Sequence, residues 1–458
     1  MSSNTIIKDA TIFTCNKEND ILLETSIILN EDKIIAFESD LENYDIEEND
    51  EVIDAKDMVV IPGIINSHTH VAGAIFRGLI DEGQKGLGLY NVGFPMEKLL
   101  TEEELYWLFL IGLTEVIKNG VTLVNDFYYK MDMFAQIANQ VGIRAIVSDT
   151  IYDTDMTKLI SGSYERNYSA GEKRLKDSVD IIEKWKDKSD LIDFRIGPHA
   201  TDTCSKSLLK KAKEAAESLD IGLHMHCAQS ELEVDYIKKQ YNMTPIRLLE
   251  SLGILKKEVI LAHCHYMDKK DWDLIKKYNA SYAHCPIVYT KGGNEYPKLN
   301  YALEKNIKTG FGTDWIRMTP WEGMRTAIGI MRTLHRDSNM LMSREVLSLN
   351  TRKAAEALNM NDKIGSIELG KKADLVIVDM DKVHLQPFYG NPSGLVYNVN
   401  GNDVSTVIIN GKVIMKNRKM LTIDEQKVLR KIKSFIPVWI NRAKNFGVKF
   451  PNYKIDRK

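Results

Sequence analysis

The residues of this chain best suited to chemistry are its histidines. Eight of the ten (His68, His70, His199, His224, His226, His263, His265 and His284) lie between positions 68 and 284. Each sits at or near the end of an apolar run that reads as a buried strand. In Ile61-Pro-Gly-Ile-Ile-Asn-Ser-His-Thr-His70 two imidazoles stand at i and i+2, and because side chains alternate along an extended chain, both point to one side and can share an ion. His224-Met225-His226 repeats the spacing, and Gly310-Phe-Gly-Thr-Asp314 adds a carboxylate after another apolar run. Imidazoles with a single carboxylate and an open position suit Zn²⁺ or Fe²⁺ and leave room for a hydrolytic water. The cysteines offer no rival site. There are five, at positions 15, 204, 227, 264 and 285, never as C-x-x-C. An odd, scattered set argues against a disulfide framework and a thiolate zinc site, and leaves buried free thiols.

Such residues act together only if the elements carrying them converge. From Val59 to about Met360, apolar runs at residues 121–125, 143–148, 194–199, 222–226, 259–263, 280–284 and 309–314 alternate with amphipathic helical segments. That pattern predicts a parallel sheet with helical crossovers. In a (β/α)8 barrel, side chains at the C-terminal strand ends meet on the catalytic face. One helix can be placed closely: Thr101 and Glu104 form a capping box, and Gly120 suits a left-handed cap after Asn119. Others begin near Ser205 and Ser343. The first sixty residues are β-rich runs (5–14, 25–29) and an acidic stretch, 38–51, that reads as a solvated loop. Strand patterns return at 373–379 and 404–409, where Asn410-Gly411 signals a hairpin into 412–415. A basic amphipathic tail begins at about Glu425. The expectation is an α/β fold: a (β/α)8 TIM-like barrel over 61–365, a small β-sandwich side domain built from 1–60 and 366–422, and a C-terminal helical tail, 423–458.

At 458 residues the chain is long enough for a barrel and a satellite. With 61 basic against 64 acidic residues, it has no surplus of positive charge for nucleic acid or anionic lipid. Its longest apolar stretch, 105–117, is interrupted by Thr114 and Glu115 and is too short to span a bilayer. The N-terminal residues lack a basic segment followed by an apolar one, so no secretory signal is expected and the cytoplasm is the predicted compartment.

Taken in order, Pro62-Gly63 through His68-Thr69-His70, Arg77-Gly78, Gly197-Pro198-His199-Ala200, His224-Met225-His226, Ala262-His263-Cys264, His284-Cys285-Pro286 and Gly312-Thr313-Asp314 resemble the amidohydrolase superfamily. They are most similar to its group of 5-methylthioadenosine/S-adenosylhomocysteine deaminases and triazine hydrolases (chlorohydrolases). The likeness spans nearly the whole chain, since Leu369-Gly-Lys-Lys-Ala-Asp-Leu-Val376 and Val407-Ile-Ile-Asn-Gly-Lys-Val413 look like the returning side-domain strands. The resemblance implies one divalent metal ion, zinc before iron, held by His68, His70, His226 and Asp314. His263 would hydrogen-bond the attacking water or the developing tetrahedral oxygen, and Asp314 would also serve as general base. His199 and His284 would reach the substrate, and Arg77 would do likewise or simply anchor the loop. His224 and His265 are read as supporting or core residues, each two positions from a better candidate. Homo-oligomerisation is compatible with the resemblance, with the tail after Glu425 as a contact.

Two departures bear on substrate. The deaminases of the group read H-x-x-E after the fifth strand, whereas this chain has His226-Cys-Ala-Gln229. Glutamine can donate and accept hydrogen bonds but cannot carry a proton at neutral pH. Either the substrate needs no ring protonation, or Glu231 or His263 supplies the proton, or the leaving group is not ammonia. Beyond Asp314 stand Trp315, Ile316, Arg317 and Met318 where small polar residues are usual. An aromatic and a fixed cation there would narrow the pocket and pair with a planar or anionic ligand. The expected function is hydrolytic deamination of an amino-substituted N-heterocycle: an adenosine-type nucleoside, a purine, a pterin or a triazine. The runner-up is hydrolysis of another leaving group, by triazine dechlorination or amine release or by opening a cyclic amide. A catalytically silent barrel has little reason to keep this ligand spacing.

Overall fold

The computed structural model of the protein describes residues 4–38, 46–81, 88–315 and 317–448. The chain first lays down β1 (Asn4–Phe13), β2 (Ile21–Asn30), β3 (Lys33–Glu38), β4 (Glu51–Asp54) and β5 (Met58–Pro62). There follow β6 (Ile64–Thr69), β7 (Val121–Tyr128), β8 (Arg144–Ile151), β9 (Ile192–Phe194), β10 (Gly197–Pro198), β11 (Leu223–Cys227), β12 (Val259–His263), β13 (Ser281–His284) and β14 (Thr309–Phe311). The last strands are β15 (Leu375–Asp379), β16 (Val404–Ile409), β17 (Lys412–Lys416) and β18 (Lys419–Met420).

Strands β6 to β14 form the barrel. β6, β7 and β8 pair in parallel in chain order, and β9 and β10 both run along β8 as halves of one broken strand. β11 to β14 continue the parallel order. Parallel bridges Ile196↔Leu223 and Thr69↔Asp314 join the two arcs at both seams. Every residue of β7 and β12 is buried, as parallel strands covered on both faces require. The strand expected over 194–199 is thus split in two, and the one expected over 309–314 stops at Phe311, after which the backbone turns Asp314 to a φ of 57°. Helices cross over between the strands. The Glu102–Lys118 helix opens on the Thr101/Glu104 capping box, with both reciprocal bonds made, and ends at Asn119 before Gly120. Ser205 caps the Lys206–Ser218 helix as expected, whereas the Ser343–Ser348 helix has Met342 at its cap and no side-chain bond there.

Both ends of the chain enter one side sheet, ordered β18-β17-β16-β15-β5-β1-β2-β3 with β4 on β1. Its strands alternate between two cores. Val376 and Val378 of β15 join Val59 and Ile61 in the barrel's core, while Leu375 and Ile377 join Val60, Ile7, Ile12, Ile27, Ile34 and Ile408 in a second cluster. The hairpin after β16 turns through Asn410 and Gly411 at φ 51° and 77°, the primed geometry that suits two antiparallel strands. A side chain on Gly411 would overlap the Glu31 carbonyl. Of the acidic stretch read as a loop, residues 39–45 lie outside the described residues, as do 449–458 of the tail. The tail's helix, Glu425–Asn445, packs back onto the Glu102–Lys118 helix, burying Trp439 and pairing Glu425 with Lys118 and Arg442 with Glu104. All five cysteines are buried and free. Among the described residues no helix is long and apolar enough to cross a membrane.

One charged contact ties barrel to side sheet. Arg144, at the start of β8 and 2% exposed, gives Nε and Nη2 to the two oxygens of Asp374 at 3.0 and 2.9 Å. Asp374 also accepts the backbone N–H of Asn410. Removing one member strands the other's charge in the interior, which costs about 3–5 kcal/mol. Asp374→Ala should therefore lower stability by that amount in urea unfolding, and an Arg144→Met/Asp374→Leu double replacement should recover most of it. An Asp374→Ala protein as stable as the parent would show that the pair does not hold the junction.

Candidate metal centre

Strand ends bring the candidate ligands together at one mouth of the barrel. β6 carries His68 and delivers His70 just beyond it; β11 carries His224 and His226; β12 ends in His263; Asp314 follows β14. The first and last strands can close up because the residue before Thr313 is glycine: a Cβ on Gly312 would stand 2.6 Å from the His68 carbonyl oxygen. The backbone then locks the seam, with Asp314 N–H donating to the His68 carbonyl (3.0 Å) and His70 N–H to the Asp314 carbonyl (3.3 Å).

Across that seam an Asp314 carboxylate oxygen lies 3.3 Å from His70 Nε2 and 3.7 Å from His68 Nε2, and His226 Nε2 is 3.3 Å from His70 Nε2. One ligand atom each from His68, His70 and His226, and likewise from His68, His263 and Asp314, falls within 4.8 Å of the others. The second ring nitrogens are engaged. His70 Nδ1 donates to the Phe127 carbonyl, His226 Nδ1 donates to the His199 carbonyl at 2.8 Å, and His68 Nδ1 meets His224 Nε2 at 2.8 Å, with Ser148 Oγ behind His224. A carbonyl can only accept, so it fixes the tautomer and leaves Nε2 as the lone-pair nitrogen. His68 Nε2 and His263 Nδ1 are buried with no hydrogen-bond partner. Burial, reinforced by neighbouring imidazoles, pushes the pKa of His68 and His226 well down. Burial alone would raise Asp314, but His263 and His70 outweigh it and hold the carboxyl below its ordinary range. Unprotonated His68 and His226 beside an ionised carboxylate, with buried His68 Nε2 and His263 Nδ1 left without a hydrogen-bond partner, fit a divalent cation.

Above the cluster opens a cavity of about 910 Å³. His70, His199, His226, Gln229, His263, Asp314 and Trp315 line it. Trp315 also packs edge-on against Phe76, 5.3 Å between ring centres. Arg317 and His284, predicted to meet the substrate, are not among the lining residues, and neither is Arg77, which was to meet the substrate or anchor the loop. Arg77 pairs with Glu115 and Arg317 with Glu322, both away from the cavity wall. His284, fully buried, lies between the hydroxyls of Tyr282 (2.6 Å) and Tyr296 (2.7 Å). In each case a nearer polar partner claims the side chain. Ile316 is outside the described residues. His224 takes the supporting place predicted for it, whereas His265 does reach the wall. Sequence reasoning missed Tyr90, Glu97, Tyr128, Tyr129 and Lys291, all of which line the cavity. Glu97 accepts the Tyr128 hydroxyl proton at 2.8 Å, and burial raises its pKa to about 7. Neither period nor motif marks it: Phe94-Pro-Met-Glu97 is a single helical turn.

A family model described as the amidohydrolase family matches residues 59–414. The 5-methylthioadenosine/S-adenosylhomocysteine deaminase of Thermoanaerobacter pseudethanolicus is 31% identical over 447 residues, covering 96% of this chain and 99% of the relative. The 5'-deoxyadenosine deaminase of Methanosarcina acetivorans is 33% identical over 444 residues, covering 96% and 99%. A crystal structure of an adenosine deaminase from Xanthomonas campestris with bound zinc superposes with a TM-score of 0.88 at 23% identity, covering 97% of this chain and 99% of that one.

The His68–His224 contact can be tested through metal affinity. Residues that orient a ligand imidazole typically contribute 10- to 100-fold. His224→Ala should weaken zinc binding by that factor in competition with a chromophoric chelator, and His68→Ala should abolish stoichiometric binding. Unchanged affinity in His224→Ala would remove His224 from the metal site.

Proposed function

Since the chain belongs to the amidohydrolase family and is a hydrolase of carbon–nitrogen bonds other than peptide bonds, we propose that it removes the amino group of an adenosine-type nucleoside. Its cofactor on this reading is one divalent ion, zinc before iron, held by His68, His70, His226 and Asp314. The observation that carries the proposal is the convergence of those donors at the floor of a cavity of about 910 Å³ walled by Tyr90, Phe94, Phe127, Tyr128, Tyr129 and Trp315. Such a space takes a purine together with a sugar and a 5' substituent, and aromatic walls suit a planar base.

A divalent ion at that floor supplies Lewis-acid activation of water at neutral pH. The remaining work falls to side chains. Asp314, held ionised by its imidazole neighbours, takes the proton of the attacking water and returns it to the departing amino nitrogen. His263 hydrogen-bonds the oxygen of the attacking water as it becomes bound to the attacked carbon, and the electron pair so displaced goes to the ring nitrogen. Gln229 lines the cavity with an amide, so it hydrogen-bonds a ring nitrogen without protonating it. Glu97 lines the cavity with a carboxyl that, when ionised, accepts hydroxyls of a vicinal diol, and His199 completes the wall. Gln229 is also what favours the second reading, a leaving group other than ammonia from a triazine or a cyclic amide, most directly chloride, which departs without a proton.

The side sheet reads as a small sandwich, because strands from both of its ends bury side chains in one shared cluster. In domain terms we take 1–60 with 366–422 as that unit, 61–365 as the barrel and 423–458 as the tail. A small-molecule substrate and a cytosolic setting accord with the balanced charge and the free buried thiols.

Ammonia release by zinc-loaded protein should be measured over aminopurines, their nucleosides, pterins and triazines. Turnover is expected with 5'-deoxy or 5'-thio adenosines, and Asp314→Asn should lower it by about three orders of magnitude or more. Chloride or amine release from a triazine, with no ammonia from any aminopurine, would replace the deaminase reading with the second one. Glu97→Gln should raise KM for nucleosides at least about tenfold, the scale of one charge-assisted hydrogen bond, while sparing free bases. Because Glu97 must be ionised to accept both hydroxyls, the parent's nucleoside KM should rise as pH falls through about 7.

A further inference from the structure

Glu233 is a fully buried carboxyl that the proposed chemistry does not use. It stands in the first turn of the Glu231–Tyr241 helix and points back toward the barrel. One oxygen accepts the hydroxyl proton of Thr201 at 2.5 Å; the other accepts the backbone N–H of Gln229 at 2.8 Å, and the Ala228 N–H adds a further bond. Thr201 lies two residues after His199, on the segment following β10, whereas Ala228 and Gln229 follow His226 on β11. The carboxyl therefore bridges two neighbouring loops, each of which carries a cavity-lining histidine.

The backbone it holds is strained. Ala228 adopts φ 49°, a left-handed conformation that residues with a Cβ avoid, and its side chain is completely buried. Its carbonyl is pinned from the other side by the N–H groups of His265 and Tyr266, at 3.1 and 3.4 Å. Ser230, the next residue after Gln229, caps the helix by accepting the Glu233 N–H at 3.2 Å and receives the hydroxyl of Tyr90, itself in the cavity wall, at 2.8 Å. Strain of this kind persists only where the surroundings over-determine it. Burial and the adjacent buried Asp202 disfavour a charge on Glu233. A carboxyl kept there at such a cost needs a job that an apolar residue cannot do.

We propose that Glu233 is a positioning residue: with Thr201 it clamps the strained Ala228–Gln229 backbone and so aims the Gln229 amide into the cavity. Its effect on turnover rests on the deaminase reading above; the clamp itself does not.

The test uses zinc-loaded full-length protein carrying Glu233→Ala, Glu233→Gln, Gln229→Ala, and Glu233→Ala with Gln229→Ala. Amide hydrogen exchange over residues 226–231 needs no substrate. It should speed up about tenfold or more in Glu233→Ala, with the other strand ends and the zinc content unchanged. Glutamine can fill the clamp, its carbonyl accepting from Gln229 N–H and its amide donating to the Thr201 hydroxyl, so Glu233→Gln should restore parental exchange. In turnover, Glu233→Ala should lower kcat about tenfold with KM little changed. In the Gln229→Ala background the same change should cost less than about twofold, since a residue acting through another is not additive with it. Parental exchange in Glu233→Ala, failure of Glu233→Gln to rescue, or full multiplication of the two kcat losses would each overturn the proposal. Should Glu233→Ala not fold, Thr201→Val removes the other end of the clamp and is read in the same way. If the parent releases no ammonia from any compound, the deaminase reading fails, and exchange alone decides the clamp.

Discussion

The close approach of the barrel's first and last strands is the constraint on which the rest depends. Asp314 can stand beside His68 and His70 only because Gly312 brings its strand against the His68 backbone and because two backbone hydrogen bonds then fix the offset between them. A side chain at Gly312 would push the carboxylate away from both imidazoles. Around the rest of the ring, each strand contributes by where it stops. β12 ends at His263 and β11 just past His226, so that side chains from distant parts of the chain arrive at one depth. The parallel sheet acts as a gauge, and the buried apolar residues between helices and strands hold it rigid enough for sub-ångström differences to matter.

Rigidity alone does not aim the groups. Ala228, His263, Cys264 and Asp314 all adopt positive φ, a conformation uncommon for residues with a Cβ. All four sit where a strand gives way to a loop at the catalytic mouth, where unstrained backbone would carry the next side chain along the strand axis rather than inward. The compensation is local: carbonyl and N–H groups of neighbouring strands hold these residues, and ring nitrogens not facing the cluster are tied to Phe127, His199 and His224. The site concentrates strain and its restraints within the same few residues.

Much of this was legible in the sequence, and the exceptions have physical reasons. Period-two spacing gave the sidedness of His68/His70 and His224/His226, and the capping box at Thr101 and the turn at Asn410-Gly411 were read from chemistry that acts over a few residues. Within the second pair, spacing could not say which imidazole joins the cluster with His70 and which stands behind His68. Partner choice was harder still. His284 and, as one of two readings, Arg77 were assigned to the substrate on their place in the order of motifs, and Arg317 on its charge just beyond Asp314, but each is claimed by a carboxylate or hydroxyl whose proximity is a product of folding. Glu97 was invisible for the converse reason: it lies in a short irregular helical turn, and only packing against Tyr128 turns an ordinary acidic residue into part of a buried wall.

The route of the chain through the side sheet has a consequence for how the protein is made. β5, the strand that leads into the barrel, is flanked by β1 and by β15, and β15 is synthesised only after the whole barrel. At roughly 5–20 residues per second, the ribosome needs on the order of tens of seconds to supply that partner. Throughout this interval the apolar edge of β5 and the Arg144 guanidinium face water or a chaperone. The nascent barrel therefore needs holding factors until the last fifth of the chain emerges, and a message truncated before Asp374 encodes a chain with an open, sticky edge rather than a smaller enzyme.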